Sequence, residues 1–165
     1  MAKEVAKNTD TPECYDKVPK SVVESELEVL SIEKWQMEWD WSTKGRITKQ
    51  YFPNIADRLN IKLNLTHNFT LMVTGHGNIN SYLHRFKISE TPLCRCGTQD
   101  QTTDRLLFQC ELLRKKRNNL TTTIRKTDVC PTGKSDLIKK HLRAFLQFAN
   151  AIVTDKLTIK PNGDA

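Results

Sequence analysis

Apolar residues in this chain recur at steps of three and four, the spacing that gathers side chains along one face of an α-helix, and Gly or Pro cuts the series into short pieces. Val23, Leu27 and Leu30, then Trp35 and Trp39, predict a first helix of about five turns running to near Asp40. Ser21 and Glu24 read as its capping box, the Ser hydroxyl accepting from the Glu amide and the Glu carboxylate from the Ser amide. The two large Trp side chains are expected in the core. Beyond Gly45, Arg46 to Phe52 ends at Pro53, which disfavours helix at Phe52, and a short helix is expected from Asn54 to about Leu59. Phe69, Leu71, Met72 and Val73 suit either a buried helical turn or a short strand. Thr74-Gly75-His76-Gly77 forces a turn, after which Ile79, Tyr82, Leu83 and Phe86 mark a helix stopped before Pro92. A long helix is expected from Thr103 through Leu106, Leu107, Cys110 and Leu113 until Cys130-Pro131-Thr132-Gly133 breaks it. Ser135 is expected to cap a final helix whose Ile138, Leu142, Phe145, Ala149 and Ile152 keep one stripe. The expected fold class is mainly α, a small helical domain with a Cys loop between helices.

The chain has 165 residues, about one domain, and its 38% hydrophobic content against 27% charged suffices for a small core. Its net charge of +7 points to a polyanionic partner, with plain solubility as the alternative, and that charge is unevenly spread. Residues 1–41 carry a net −5, residues 42–111 a net +4, and residues 112–143 a net +8 from ten cations against Asp128 and Asp136. The expected organisation is a frayed segment 1–17, a helical region 18–88, a Cys segment 89–111, a basic helical region 112–157 and a tail 158–165. No apolar run approaches the roughly 18 residues that span a bilayer, and the amino terminus lacks the apolar stretch of a signal peptide. An intracellular location, cytoplasmic or nuclear, is expected, with no membrane partner. Five Cys in a reducing compartment favour metal ligation or free thiols over disulfides, and the sequons at Asn64, Asn68 and Asn119 carry no weight there.

Cys94-Arg95-Cys96-Gly97 and Cys110 form the one cluster with metal-ligand character. Two thiols on a Gly-closed loop can grip an ion and a third on the following helix can close the cage, zinc being the ion such donors suit. A fourth ligand is needed, and the nearby candidates His84, His76 and Asp104 stand at no recognisable spacing. Three thiols without a metal is the alternative. Arg114, Lys115, Lys116, Arg117, Arg125, Lys126, Lys139, Lys140 and Arg143 are the candidate nucleic-acid-binding residues, able to neutralise phosphates of RNA or DNA. Few aromatics stand among them, so contact without sequence readout is expected.

A larger pattern now emerges. Trp35-Gln36-Met37-Glu38-Trp39, Lys44-Gly45-Arg46, Tyr51-Phe52-Pro53, Thr74-Gly75-His76-Gly77, Tyr82-Leu83-His84-Arg85-Phe86, Cys94-x-Cys96-Gly97 and Leu106-Leu107-Phe108-Gln109-Cys110 follow one another in an order that resembles one family. It is similar to the carboxy-terminal region of the pol polyprotein of non-LTR retrotransposons of the R1 and Jockey kind, over about residues 18 to 120. The resemblance implies a region that follows endonuclease, reverse transcriptase and RNase H domains and carries a Cys-Cys-His-Cys zinc knuckle. Ala2-Lys3-Glu4 resembles the last RNase H helix, so residues 1–17 would be its remnant. The family places His five residues before the last Cys, and Arg105 stands there, leaving Cys94, Cys96 and Cys110 as matched ligands. On this resemblance the chain lies beyond the catalytic carboxylates of polymerase and nuclease, and is expected to be a truncated, non-catalytic module that binds RNA or DNA beside a degenerate knuckle. A decayed remnant, or a helical protein-interaction module recruited by its host, is the alternative.

Other signals weigh less. Gly133-Lys134-Ser135 echoes a P-loop, but Val129 stands where the upstream Gly belongs. His76 has no nucleophile or orienting carboxylate placed beside it by sequence and reads as a turn residue. Cys14 and Cys130 match no spacing and read as free thiols.

Overall fold

A computed structural model describes residues 18–63, 66–129 and 133–152. Its elements are α1 (Lys20–Trp41), α2 (Arg46–Tyr51), α3 (Ile55–Asn60), α4 (His67–Thr74), α5 (Asn80–Arg85), α6 (Thr103–Phe108), a 3-10 turn (Glu111–Leu113), α7 (Arg114–Ile124), α8 (Lys134–Lys139) and α9 (Leu142–Asn150). The fold is mainly α, and Leu93 and Asp100 form an isolated antiparallel bridge. The chain divides into two compact units between Trp39 and Asp40. The expected tails, 1–17 and 158–165, and both Cys14 and Cys130 lie outside the described residues.

Helix α1, 22 residues with none of them buried, lies in the first unit except for its last two residues. Two expectations change here. Ser21 lies inside the helix, and the Pro19 carbonyl starts it by accepting from Val22 and Val23 at 3.0 and 3.3 Å. Lys20 pairs with Glu24 at 3.3 Å across one turn, so that carboxylate reaches a side chain. Trp35 is 48% exposed rather than in the core. Spacing puts a side chain on a face of the helix but does not supply the surface that would bury it.

In the second unit α4 and α9 form the centre, with α2, α6, α7 and α8 packed around them. Phe145 of α9 is fully buried between Tyr51, stacked at 5.5 Å, and Phe69, edge-on at 5.9 Å. Burying such a ring contributes about 1.5–3 kcal/mol. Phe69, Leu71, Met72 and Val73 resolve as helix, because Thr66 caps α4 by accepting from the Phe69 amide at 3.3 Å. Asn54 caps α3 in the same way at 2.9 Å. Gly75 then ends α4 at φ +74°, and a Cβ there would run into Ile47 Cδ1.

The two long helices expected after residue 100 are each broken. Gln109 and Cys110 both donate to the Arg105 carbonyl, at 2.9 and 2.8 Å, which ends α6 before Cys110. The last helix divides at Lys140 and His141 into α8 and α9, so its apolar stripe turns a corner between Ile138 and Leu142. Ser135 lies within α8, whose N-cap is Gly133. Lys134 bonds to Asp104 on α6 and to Gln50 on α2, which accounts for the Gly-Lys-Ser run as packing rather than phosphate binding.

Candidate metal centre and nucleic-acid interface

The Cys loop is a tight turn held by its own backbone. Cys94 donates to the Gln99 carbonyl at 2.8 Å, Gly97 to the Cys94 carbonyl at 2.8 Å, and Gln101 to the Pro92 carbonyl at 2.8 Å. Gly97 takes φ +80°, a left-handed conformation that costs glycine little. Two buried amides anchor this loop to α5. Asn80 Nδ2 donates to the Leu93 carbonyl at 2.6 Å, and the Asn80 amide donates to Gln101 Oε1 at 2.8 Å. Sequence reading missed Asn80 and Gln101, since a buried amide carries no periodic or spacing signal.

Cys94, Cys96 and Cys110 converge. Their sulfurs lie within 4.8 Å of one another, and Cys94 Sγ is 3.6 Å from Cys110 Sγ. Tetrahedral zinc with Zn–S near 2.3 Å sets its sulfurs about 3.8 Å apart, so the cluster could hold a metal ion with little adjustment. The break in the chain at Cys110 is what permits this, as the thiol turns back toward the loop from the start of the 3-10 turn.

The donor set stops at three. His76 packs against Tyr82 at 4.9 Å, and Asp104 is bound to Lys134. Among the described residues no fourth His, Cys or carboxylate joins the cluster. The side chain that does approach is Arg105, only 8% exposed. Its Nη2 donates to Cys96 Sγ at 3.5 Å and to Thr98 Oγ1, while Nη1 donates to Gln99 Oε1 at 2.6 Å and Gln109 Oε1 at 3.2 Å. A guanidinium is a permanent cation with no lone pair to offer, so Arg105 brings charge where a structural zinc site needs a ligand. The residues present therefore do not complete a four-ligand zinc site.

Arg105 also separates the thiols electrostatically. Burial opposes ionisation of Cys96, but hydrogen bonds from Arg105 and Thr98 outweigh it and bring that thiol down to about 6. Burial pushes the Cys94 thiol well up, and its hydrogen-bonded contacts with the neighbouring thiols add to the rise. One sulfur is poised as thiolate and another is held neutral.

The basic block proves to be two populations of cations. Lys116 donates to the Ala151 carbonyl and Arg117 to the Cys110 carbonyl at 3.1 Å, so these two tie α7 to its surroundings. Arg114 faces Glu111 at 3.7 Å. Lys139 pairs with Asp57 at 2.6 Å, and Lys140 with Asp128 at 3.3 Å and Asp136 at 3.6 Å. The Val129 amide and then Lys140 hold the Asp128 carboxyl below its ordinary range. Lys115, Arg125, Lys126 and Arg143 are exposed and spent on no contact within the described residues. The quartet Arg114 to Arg117 opens α7 instead of lying within one long helix. Cations at a helix N-terminus oppose the macrodipole, and the bonds from Lys116 and Arg117 to carbonyls offset that cost.

A trough runs between α7 and α9. One stretch, of about 150 Å³, has Lys116, Asn119 and Thr123 on one wall and Gln147 and Ala151 on the other. It continues past Thr123 and Gln147 into a wider stretch of about 390 Å³ edged by Lys126, Lys140 and Arg143. His141 lines that end, with Nε2 3.5 Å from Asp128 Oδ2. No helix of the described residues is long and apolar enough to cross a membrane.

Fold and site together define a class, a helical module with a three-thiol loop followed by a basic two-helix trough. The chain is homologous, over a little more than half its length, to stretches of R1 retrotransposon Pol polyproteins. It is 34% identical over 91 residues to the Retrovirus-related Pol polyprotein from type-1 retrotransposable element R1 of Bradysia coprophila, covering 53% of this chain and 9% of that one. It is 28% identical over 97 residues to the corresponding R1 3 polyprotein of Nasonia vitripennis, covering 58% and 25%. It is 32% identical over 89 residues to the Putative 115 kDa protein in type-1 retrotransposable element R1DM of Drosophila melanogaster, covering 52% and 9%. The matched stretch thus spans at most a quarter of these relatives. No protein-family model and no solved structure matches the chain.

Proposed function

We propose that this chain is a non-catalytic nucleic-acid-binding module derived from a retrotransposon Pol polyprotein, and that it holds single-stranded RNA or DNA in the trough between α7 and α9. The observation that carries this reading is a set of four exposed cations with no partner among the described residues, Lys126 and Arg143 edging the trough and Lys115 and Arg125 on or just beyond α7. Phosphates are the partners such cations take, and the trough lacks exposed aromatic platforms for reading bases. Within a polyprotein that carries reverse transcriptase and RNase H activities, such a module would keep template or target near the polymerase. Zinc is the ion best suited to the thiols of Cys94, Cys96 and Cys110, with solvent as its remaining ligand, but phosphate contact does not depend on it.

The test is fluorescence anisotropy with a labelled single-stranded RNA at low salt, comparing the chain with a variant in which Lys115, Arg125, Lys126 and Arg143 are all Glu. The expected result is binding by the first and loss by the second, with both retaining the same helical circular dichroism. Equal binding by the two, or none by the parent chain, overturns the assignment.

A further inference from the structure

Helix α1 holds an interaction surface whose partner can be read from its charge. Val23, Leu27, Leu30, Met37 and Trp41 fall within an arc of about 80° when each residue turns the helix by about 100°. Their alternating steps of four and three are those of a coiled-coil seam, with Lys34 completing the series as its one interior polar residue. These side chains are exposed, from 41% at Val23 and 57% at Leu27 to 88% at Trp41.

The flanks of the seam are acidic. Glu26, Glu33 and Asp40 follow one side at intervals of seven, and Glu24 and Glu38 stand on the other with Ser31 between them. These are the positions whose charges choose a partner in paired helices. A second copy of this chain would bring acidic flanks against acidic flanks, with Ser31 as the one uncharged flank position, which disfavours it.

We propose that α1 docks a partner helix from another protein or domain, one with an apolar seam flanked by Lys or Arg. Acidic flanks attract and orient such a helix, while the seam of Val23, Leu27, Leu30 and Met37 supplies the buried area. Lys34 fixes register, since an interior polar side chain is best accommodated opposite a polar or acidic one.

The experiment uses the full chain and three synthetic peptides: a helical peptide of four heptads with Leu in the seam and Lys on both flanks, its counterpart with Glu flanks, and a scrambled peptide of the first composition. Calorimetric titration is expected to show the Lys-flanked peptide binding about tenfold or more tightly than either other, with affinity falling as salt rises. Leu30→Glu and, independently, Leu27→Asn are expected to abolish this preference while leaving thermal unfolding and RNA binding unchanged, because no residue of α1 is buried. Equal binding of the scrambled or Glu-flanked peptide overturns the proposal. So does no peptide binding, or sedimentation showing that the chain dimerises through α1.

Discussion

The salt dependence of RNA binding separates the charge seen in the sequence from the charge the fold leaves available. Each phosphate neutralised on a single strand contributes about −0.7 to the slope of log K against log salt. Nine basic residues in the sequence would give a slope of about −6. Four cations with no partner among the described residues, Lys115, Arg125, Lys126 and Arg143, give about −3 instead. Between 50 and 200 mM salt the larger slope weakens binding about several thousandfold and the smaller about fiftyfold, a difference far outside the error of an anisotropy titration. The expected slope for the chain is about −3, and single substitutions should split as the fold does. Lys126→Ala and Arg143→Ala should each flatten the slope by about 0.7. Lys139→Ala, whose ammonium is held by Asp57, should leave it unchanged. A slope near −6, or equal effects at Lys126 and Lys139, would show that the ion pairs open on binding and that the division into two populations does not govern affinity.

Three further predictions concern the thiol loop and its support. Arg105→His puts an imidazole at the position of the guanidinium; the variant should retain one zinc per chain after chelation and dialysis, whereas the parent should retain well under one, as elemental analysis would show. Cys96 alkylation by iodoacetamide, followed by peptide mass spectrometry, should rise with a midpoint near pH 6 and move upward in Arg105→Gln, since the thiolate is the reactive form. The same lowered pKa makes the thiolate contribution to stability complete above about 9 and progressively lost as pH falls toward 6. Cys94, raised, stays neutral in the folded state throughout that window, and its unfolded thiol ionises only toward the upper end, where it begins to oppose stability; a denaturation midpoint that rises as pH falls from 8 to 6 would contradict this. Gly75→Ala should cost about 2 kcal/mol in urea denaturation, from the left-handed backbone at φ +74° and the collision with Ile47. A loss below about 0.5 kcal/mol would mean that the turn after α4 relaxes freely.

Much of the fold was legible because it depends on neighbours along the chain. The step of three and four placed α1, α5 and α7 to α9 roughly but left the run that forms α4 open between helix and strand, and the residues around Pro53 and Gly75 marked two real helix ends. The same pattern could not show the breaks at Cys110 and His141, because apolar spacing continues across each corner while the backbone does not. It also put Trp35 in a core, since burial depends on what another element supplies.

The sequence by itself determined a helical chain, three thiols on a Gly-closed loop and its following segment, and a block of cations after Cys110. Those follow from local periodicity, turn chemistry and composition. Only the tertiary structure decided that Arg105 meets the thiols, that Asn80 and Gln101 anchor their loop, and which cations stay available. Lys116 reaches a carbonyl 35 residues away and Lys134 a carboxylate 30 residues away. A charge is free or spent according to what the folded chain brings within about 4 Å of it, and sequence spacing does not encode that distance.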